Sequence, residues 1–142
     1  MRAVPRGTSR LPALSVVVDS SALVELLTQS SRATAVEAAI GEAEVLAPDL
    51  IFAETLSALR GLERGGVLTP RQAELAWAGL RSSRIEQIPS EGLLDGAWQL
   101  RQSVSVYDAF YVTLARLLGC PLVTGDMRLA RVKGLGIPVL IV

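Results

Sequence analysis

The chain has 142 residues, half of them hydrophobic, and its 14 basic and 14 acidic residues cancel to no net charge. This length suits one domain with a substantial core, and no apolar run approaches the ~20 residues that a membrane-spanning helix needs. The chain has no histidine and one cysteine, Cys120, which excludes histidine catalysis, cysteine-rich metal sites and an internal disulfide. A reducing, cytoplasmic setting is therefore expected.

The first half of the chain predicts a strand followed by helices. Residues 1–14 are expected to be a disordered leader, since residues 1–15 carry three arginines without the apolar region of a signal peptide. A short buried strand is predicted from Ser15 to Asp19, because its residues are β-branched and continuously apolar. Further elements are predicted as helices over 20–28 and 33–44, a short strand over 45–47, and a helix over 48–64 with proline at its start.

The second half of the chain also predicts helices that alternate with short strands. Thr69 and Pro70 supply an N-cap and a first helical residue for a helix that runs to about residue 81. The remaining predicted elements are an edge strand over 84–88, helices over 90–102 and 105–118, a strand over 121–124, a short helix over 126–133 and a strand over 137–142. Residues 15–142 are thus predicted to form one α/β domain, with a mainly parallel central sheet covered by helices on both faces.

The hydrophobic half of the composition is large for a single domain. The excess apolar surface is expected to lie in a subunit interface. Trp77 and Trp98, both on predicted helices, are predicted to lie in the core or in that interface, and Cys120 is predicted to be buried and inert.

Two acids lie at the carboxyl ends of predicted strands. Asp19 ends the first strand, and Asp126 follows the strand over 121–124. Ligands of open α/β sheets gather at the carboxyl ends of strands, whereas Asp also commonly caps the helix that follows. Either role is open for each acid alone, but two acids at two strand ends favour a site.

Glu54 interrupts an apolar helical segment. At ~100° per residue, Asp49, Arg60 and Arg64 share one polar face of this helix, and Glu54 falls about 120° from the centre of that face. A lone buried carboxylate is very costly, so a glutamate in this phase indicates a partner or a ligand.

Asp108 lies in a segment, Val104 to Val112, that is apolar almost all round the predicted helix. Ser105, three residues earlier, offers a competing explanation, because the pair matches a capping box. That box prefers Glu or Gln to Asp. Capping and metal binding both stay open here, and one residue can do both.

Together, the four acids indicate a metal site. Side by side they would repel one another and raise at least one pKa, and a divalent cation removes that repulsion. Carboxylates are hard oxygen ligands that suit Mg²⁺ or Mn²⁺ rather than Zn²⁺. Asp19 and Asp108 are expected to be direct ligands, and Glu54 and Asp126 to bind directly, through water or at a second metal.

A carboxylate-bound divalent cation indicates chemistry on phosphates. Thr124 and Ser20 offer hydroxyls at the same strand ends, either to orient an acid or phosphate oxygen or to bond within local turns. With four acids masked by metal, 14 basic residues face 10 acidic ones, so the remaining surface is mildly basic. Candidates for phosphate contacts, with ordinary solvated charge as the alternative, are Arg60, Arg64, Arg128, Arg131 and Lys133.

The acids occur in four segments in a recognisable order. These are Val-Val-Val-Asp19-Ser-Ser-Ala-Leu, the helix of Glu54, Tyr107-Asp108-Ala109-Phe110-Tyr111-Val112, and Leu122-Val-Thr124-Gly-Asp126-x-Arg-Leu. The ordered set resembles PIN-domain ribonucleases, and within them the VapC-type toxins of prokaryotic toxin–antitoxin pairs. The resemblance covers about residues 15–142.

The resemblance implies a PIN-like three-layer α/β/α sandwich and Mg²⁺- or Mn²⁺-dependent endoribonuclease activity on structured RNA such as tRNA or rRNA. It also implies a homodimer and inhibition by a cognate antitoxin protein that blocks the site. The family's four acids fall on Asp19, Glu54, Asp108 and Asp126, and its strand-end hydroxyl on Thr124. The leader over 1–14 is a departure, because the family usually begins just before the first strand.

Other functions fit less well. A haloacid-dehalogenase-like phosphatase needs a second Asp where this chain has Ser21, and a lysine near the site, whereas Lys133 is the only lysine. A receiver domain needs an adjacent acid pair that the chain lacks. A non-catalytic PIN-like scaffold that binds RNA or protein stays open, although the intact acid set argues against it.

Overall fold

The computed structural model describes residues 14–142, and its centre is a five-stranded sheet in which every pairing is parallel. The strands are β1 (Ser15–Val18), β2 (Glu44–Pro48), β3 (Glu86–Ile88), β4 (Leu122–Thr124) and β5 (Val139–Ile141). Their order across the sheet is β3-β2-β1-β4-β5, so β1 is central and β3 lies at one edge, as the sequence predicts. The predicted leader lies outside the described residues, apart from the exposed Leu14.

The central strand explains the unbroken valine run of the sequence. Val16, Val17 and Val18 are all buried, and Val17 pairs with Leu46 on one side and Leu122 on the other. A strand buried on both faces shows a continuous apolar run rather than alternation. The run therefore specifies a middle position in a parallel sheet.

Helices form two groups that flank this sheet. The helices are α1 (Ser20–Leu27), α2 (Ala33–Ile40), α3 (Ile51–Arg64), α4 (Pro70–Arg81), a 3-10 helix (Ser90–Leu93), α5 (Leu94–Gln99), α6 (Val106–Leu118) and α7 (Met127–Arg131). Helix α1 packs with α2, α3 and α4, whereas α5 packs with α6, and α6 lies against β1, β2 and β4. Among the described residues, no helix is long and apolar enough to cross a membrane.

Helix α6 is the most buried helix of the described chain, as its sequence predicts. It begins at the Ser105 N-cap and ends at Gly119, which adopts φ 61° in the left-handed region that glycine tolerates. Six of its residues are buried: Ala109, Tyr111, Val112, Thr113, Leu114 and Ala115. Asp108 is half-buried and directly precedes this buried part of the helix.

Two predicted helix boundaries were wrong, and backbone geometry explains both. Pro48 does not start a helix; it ends β2 and pairs with Ile88, and α3 begins only at Ile51. A strand end accepts proline because little of the hydrogen-bond ladder is lost there. The helix predicted over 33–44 stops at Ile40, because Gly41 adopts a positive φ of 54°.

Other boundaries moved for similar reasons. The helix predicted over 90–102 divides into the 3-10 helix and α5, a region weakened by Gly92 and Gly96 because glycine is a poor helix former. The short helix predicted over 126–133 contracts to α7, and the last strand contracts to β5.

The tryptophans do not belong to the core. Trp77 is 44% exposed and Trp98 is 65% exposed, so the core part of that prediction was wrong, and their place in an interface stays a prediction. The guanidinium groups of Arg81 and Arg101 lie over the two rings, 5.7 and 4.3 Å from the centroids. Cys120 is buried, as predicted.

Candidate active site

The candidate site lies where the sheet order reverses direction. From β1 the chain adds strands first on one side, β2 and β3, and then on the other, β4 and β5. Asp19 directly follows β1 and Asp126 follows β4 after Gly125, so both acids lie at the carboxyl ends of neighbouring parallel strands. This switch point is where open α/β sheets bind their ligands.

Asp19 is a buried carboxylate whose two oxygens are both hydrogen-bonded. It is 4% exposed. Its Oδ1 accepts from the Ser21 hydroxyl at 2.6 Å and from the Ala22 amide at 3.0 Å, and its Oδ2 accepts from the Thr124 hydroxyl. The Ala22 bond caps α1, so the capping alternative is confirmed for this residue. The contact with β4 adds a fixed orientation that a cap alone does not need.

A chain of hydroxyls and amides joins the two strand ends. Thr124 is fully buried, and its oxygen also accepts from the Asp126 amide at 3.0 Å. Ser21 accepts from the Gly125 amide at 2.9 Å while donating to Asp19. Both hydroxyls therefore join the Asp19 carboxylate, at the end of β1, to backbone amides that follow β4. These bonds fix Asp19 relative to the loop that carries Asp126.

Glu54 projects from α3 to Tyr111 of α6. The Tyr111 hydroxyl donates to Glu54 Oε1 at 2.6 Å, and the tyrosine is 1% exposed. Burial, followed by the bond to Glu54, raises the pKa of Tyr111 well above its ordinary value. The hydroxyl therefore stays protonated and remains a donor, which holds the half-buried Glu54 at the site.

Asp108 occupies the first turn of α6. The Ser105 hydroxyl accepts from the Asp108 amide at 3.2 Å. At α4, by contrast, Thr69 and Gln72 bond each other's amides in a complete capping box. Within the described range, the Asp108 carboxylate makes no such return bond to the Ser105 amide, so Ser105 caps the helix without the reciprocal bond of a capping box. The Ser105 side chain lowers the pKa of Asp108, in opposition to the larger effect of burial.

Asp126 differs from the other acids because it already has a cationic partner. It caps α7 by accepting from the Arg128 amide at 2.9 Å, and its oxygens accept from the Arg128 guanidinium at 3.1 and 3.0 Å. The hydrogen bonds from Arg128 lower the pKa of Asp126. The Arg128 side chain is 88% exposed, so a ligand can compete for it.

The four acids influence one another electrostatically. Burial raises the pKa of Asp19, Glu54 and Asp108, and the negative charge of a neighbouring acid raises each of them further. The neighbour is Asp108 for Asp19, Asp108 and Asp19 for Glu54, and Asp126 for Asp108. The acids that lie far apart in sequence therefore form one cluster, with more negative charge than Arg128 alone offsets.

The donor set of this cluster fits Mg²⁺ or Mn²⁺. Over residues 14–142, no three acidic or sulfur side chains converge closely enough to enclose a single ion. Mg²⁺ does not require such an enclosure, because it keeps several of its waters and binds through one or two carboxylates. Hard oxygens with an uncompensated negative charge are the ligands it prefers.

Two grooves adjoin the cluster. The first, here the Glu54 groove, has a volume of about 510 Å³ and is lined by Ser20, Ala53, Glu54, Ser57, Ala58 and Tyr107, among others. The second, here the Arg128 groove, has a volume of about 220 Å³ and is lined by Ser105, Asp108, Asp126, Arg128 and Leu129, among others. Consecutive residues of α6, Tyr107 and Asp108, line different grooves, so the two grooves meet at the first turn of this helix.

Sequence reasoning missed two contributors, Ser21 and Tyr111. It named Ser20 as the hydroxyl beside the strand-end acid, but Ser20 lies beside Tyr111 and lines the Glu54 groove, whereas Ser21 contacts Asp19. Tyr111 follows Asp108 by three residues, and that spacing places both on one side of a helix. Its bond to Glu54 depends on side chains of α3 and α6 meeting at the site, which no local pattern reveals.

The basic residues predicted to contact phosphates are all exposed. They are Arg60, Arg64, Arg128, Arg131 and Lys133. In the described part of the chain the one ion pair links Arg128 to Asp126. Phosphate contacts by these residues stay a prediction.

Comparison with known proteins bears on the whole domain. Residues 16–135 match the family model for the PIN domain. Ribonuclease VapC3 of Mycobacterium tuberculosis (strain H37Rv) is 41% identical over 132 residues, which cover 92% of this chain and 93% of that protein.

Two solved structures of Mycobacterium tuberculosis proteins share the fold of this chain. The first is the crystal structure of VapC20, described as a sarcin–ricin loop cleaving toxin, with a TM-score of 0.60 and 21% identity over 83% of this chain and 96% of that one. The second is VapBC-5, a member of the VapBC family of toxin–antitoxin systems, with a TM-score of 0.56 and 20% identity over 92% of this chain and all of that chain.

Proposed function

This chain belongs to the PIN-domain family, and we propose that it is a VapC-type toxin, a divalent-metal-dependent endoribonuclease that hydrolyses phosphodiester bonds in structured RNA such as tRNA or rRNA. The observation that carries the proposal is the placement of acids at the switch point of the sheet, where the Thr124 and Ser21 hydroxyls join Asp19 to the loop that carries Asp126. Glu54 and Asp108 lie near enough for neighbouring acids to raise their pKa values. The 41% identity of this chain to ribonuclease VapC3 supports the choice of RNA as substrate.

Asp19 and Asp108 would hold the metal directly, with Glu54 and Asp126 completing the site directly or through water. A bound Mg²⁺ or Mn²⁺ supplies charge stabilisation for the phosphoryl and leaving oxygens and makes a neighbouring water more acidic. Asp19, Glu54 and Asp108 need this positive charge, because burial and the charge of a neighbouring acid oppose their ionisation.

The other residues of the site orient the acids. The Ser21 and Thr124 hydroxyls and the Ala22 amide hold both oxygens of Asp19, which stabilises its ionised form against the effect of burial. Tyr111 holds Glu54 in the same way from α6. Outer partners of this kind fix the direction of a ligand and typically contribute about 10–100-fold to metal affinity or activity.

Arg128 has a separate part in the proposal. Its guanidinium is exposed and is paired with an acid of the cluster. An RNA phosphate offers the same forked, charge-assisted bonding to arginine as a carboxylate. We therefore expect Arg128 to move from Asp126 to the RNA backbone on binding, which would release Asp126 for the metal.

We further propose that the protein acts in the cytoplasm as a homodimer and is inhibited by a cognate antitoxin protein. The VapBC-5 structure, a toxin–antitoxin system of the same fold, supports an antitoxin partner. Exposed apolar side chains on α4, α5 and α6, including Leu75, Leu94, Trp98 and Leu117, supply surface for such contacts.

The decisive experiment measures cleavage of purified tRNA and rRNA with Mg²⁺, with Mn²⁺ and with EDTA. Wild type is expected to cut RNA only when metal is present. Asp19→Asn is expected to reduce the cleavage rate at least about 100-fold, because a direct metal ligand should matter at least as much as an outer partner, whose loss costs up to about 100-fold. Asp95→Asn, an exposed acid of α5, is the matched control and should retain full activity.

Cleavage that persists in EDTA or in Asp19→Asn would refute the proposed chemistry. Absence of cleavage of every RNA by folded wild type would favour the non-catalytic scaffold.

A further inference from the structure

Tyr107 is an exposed aromatic side chain next to the acid cluster. It is 63% exposed, directly precedes Asp108 and lines the Glu54 groove. Its near neighbour Tyr111 is 1% exposed and bonded to Glu54. One turn of α6 thus carries a tyrosine that orients an acid and a second tyrosine that faces the space in front of the acids.

The wall shared with Tyr107 is built of small groups. Ala53, Ser57 and Ala58 of α3 line the same groove, with Ser20 from α1. Glu54 is the only charged side chain among the groove's lining residues in the described chain. The groove therefore suits a flat, neutral group placed against an aromatic ring.

The Arg128 groove, which is lined by the next residue of α6, Asp108, has a different character. It holds Asp108, Asp126 and the exposed guanidinium of Arg128. Glu54 lines the Glu54 groove, whereas Asp108 and Asp126 line the Arg128 groove. A polynucleotide whose phosphate lies among these acids therefore has a groove on each side into which it can extend. The arginine suits its backbone on one side, and the aromatic ring suits a base on the other.

We propose that Tyr107 stacks on an unpaired nucleobase of the RNA, in a nucleotide next to the phosphodiester that is cut, and that the Glu54 groove is the subsite for that base. The proposal rests on the proposed function, because it takes the acid cluster as the cleavage site. Proteins that read RNA commonly stack splayed, unpaired bases on aromatic side chains. A stacking subsite selects unpaired nucleotides without selecting one base strongly.

Steady-state cleavage of a short oligoribonucleotide that spans a mapped cut tests this subsite. Loss of one stacked base is expected to raise the KM of Tyr107→Ala about 5–100-fold with little change in kcat. Tyr107→Phe, which keeps the ring, should raise the KM far less than Tyr107→Ala. Val106→Ala is the matched control, since Val106 is 53% exposed on the same turn and is not among the residues that line either groove.

An RNA with one abasic nucleotide beside the cut identifies the partner of Tyr107. Removing the stacked base should slow wild type by the same factor as Tyr107→Ala and should not slow Tyr107→Ala further. The proposal is overturned if Tyr107→Ala has the KM of wild type, if Tyr107→Phe loses as much as Tyr107→Ala, or if both proteins lose equally on every abasic RNA. Unchanged cleavage with weaker inhibition by an antitoxin would also overturn it and assign Tyr107 to a protein contact.

A binding measurement separates this proposal from the proposed catalysis. If wild type cuts no RNA, fluorescence anisotropy with a labelled single-stranded oligoribonucleotide still compares Tyr107→Ala with Tyr107→Phe. Weaker binding by Tyr107→Ala alone supports the subsite without catalysis. Equal binding by both variants, or binding by neither variant nor wild type, overturns it.

Discussion

At the scale of single residues, Asp19 shows that capping and ligand binding are compatible roles. Its Oδ1 accepts the Ala22 amide as an N-cap, whereas its Oδ2 meets the Thr124 hydroxyl from the next strand. A cap requires a single acceptor, so the second oxygen and its long-range partner carry the information about function. The same distinction applies to Asp126, which caps α7 and also binds the Arg128 guanidinium.

Tyr111→Phe is expected to reduce cleavage about 10–100-fold, the usual effect of losing an outer partner of a metal ligand. The substitution keeps the buried ring and removes only the hydroxyl that holds Glu54. Cleavage rates at several Mn²⁺ concentrations measure the effect, which should appear as a higher Mn²⁺ concentration for half-maximal cleavage. Tyr107→Phe, which removes an exposed hydroxyl, is the control. Equal activity of both variants would contradict a positioning role for Tyr111.

At the scale of elements, the contact between α5 and α6 determines how firmly Asp108 is held. Gly96 of α5 faces Thr113 of α6, and a Cβ at position 96 would lie 2.4 Å from Thr113 Cγ2. That separation is shorter than any real contact, so glycine is required for the two helices to approach. Gly96 therefore allows close packing of α5 against α6, and its role is not to form a turn.

Gly96→Ala is expected to lower the free energy of unfolding by about 1–3 kcal/mol, the usual cost of overpacking. Gly92→Ala is the matched control, because a Cβ there would meet nothing within 4 Å. Urea unfolding compares the two. Adding Thr113→Ala to Gly96→Ala should recover part of the loss by removing the clashing methyl. A Gly96→Ala protein as stable as wild type would show that the helices separate without cost.

At the scale of the whole molecule, the domain gathers repelling acids at one end of its sheet, and the resulting loss of stability depends on pH. The pKa values of Asp19, Glu54 and Asp108 are raised above their ordinary values of 3.8, 4.5 and 3.8, first by burial. The folded protein therefore binds protons that the unfolded chain has already released. The stability that these protonated groups contribute is fully present below the ordinary values and is lost as pH rises through the raised values.

The metal-free protein is accordingly expected to lose stability as pH rises from about 4 towards neutrality. Asp126 acts in the opposite sense, because its pKa is lowered, but solvent screens its partly exposed pair with Arg128. Urea unfolding in EDTA across this range measures the loss, which should be smaller in Asp108→Asn. Stability that increases with pH in EDTA would contradict the clustering of the acids.

Metal should reverse that loss at neutral pH. An ion that binds only the folded state, at ~100 times its dissociation constant, adds ~2.7 kcal/mol. The gain with millimolar Mn²⁺ is expected in wild type and should shrink in Asp108→Asn. An equal gain in both proteins would place the metal elsewhere.

The sequence by itself determined the elements and the acids. The valine run identified a central parallel strand, the apolar segment around Asp108 identified a buried helix, and the phase of Glu54 placed that residue away from solvent. These features are local, because periodicity and burial preference are written in neighbouring residues. Helix ends depended on contacts outside the local sequence. Pro48 pairs with Ile88 in the sheet, and this pairing overrode the preference of proline for a helix start.

Only the tertiary structure decided which side chains meet. The sheet order places β1 beside β4, and from that contact follow the Thr124 bond to Asp19 and the Ser21 bond to Gly125. The placement of α3 and α6 around the sheet likewise decides that Tyr111 reaches Glu54. Such contacts join residues that are far apart along the chain, and their identity depends on how the strands are ordered rather than on any local pattern.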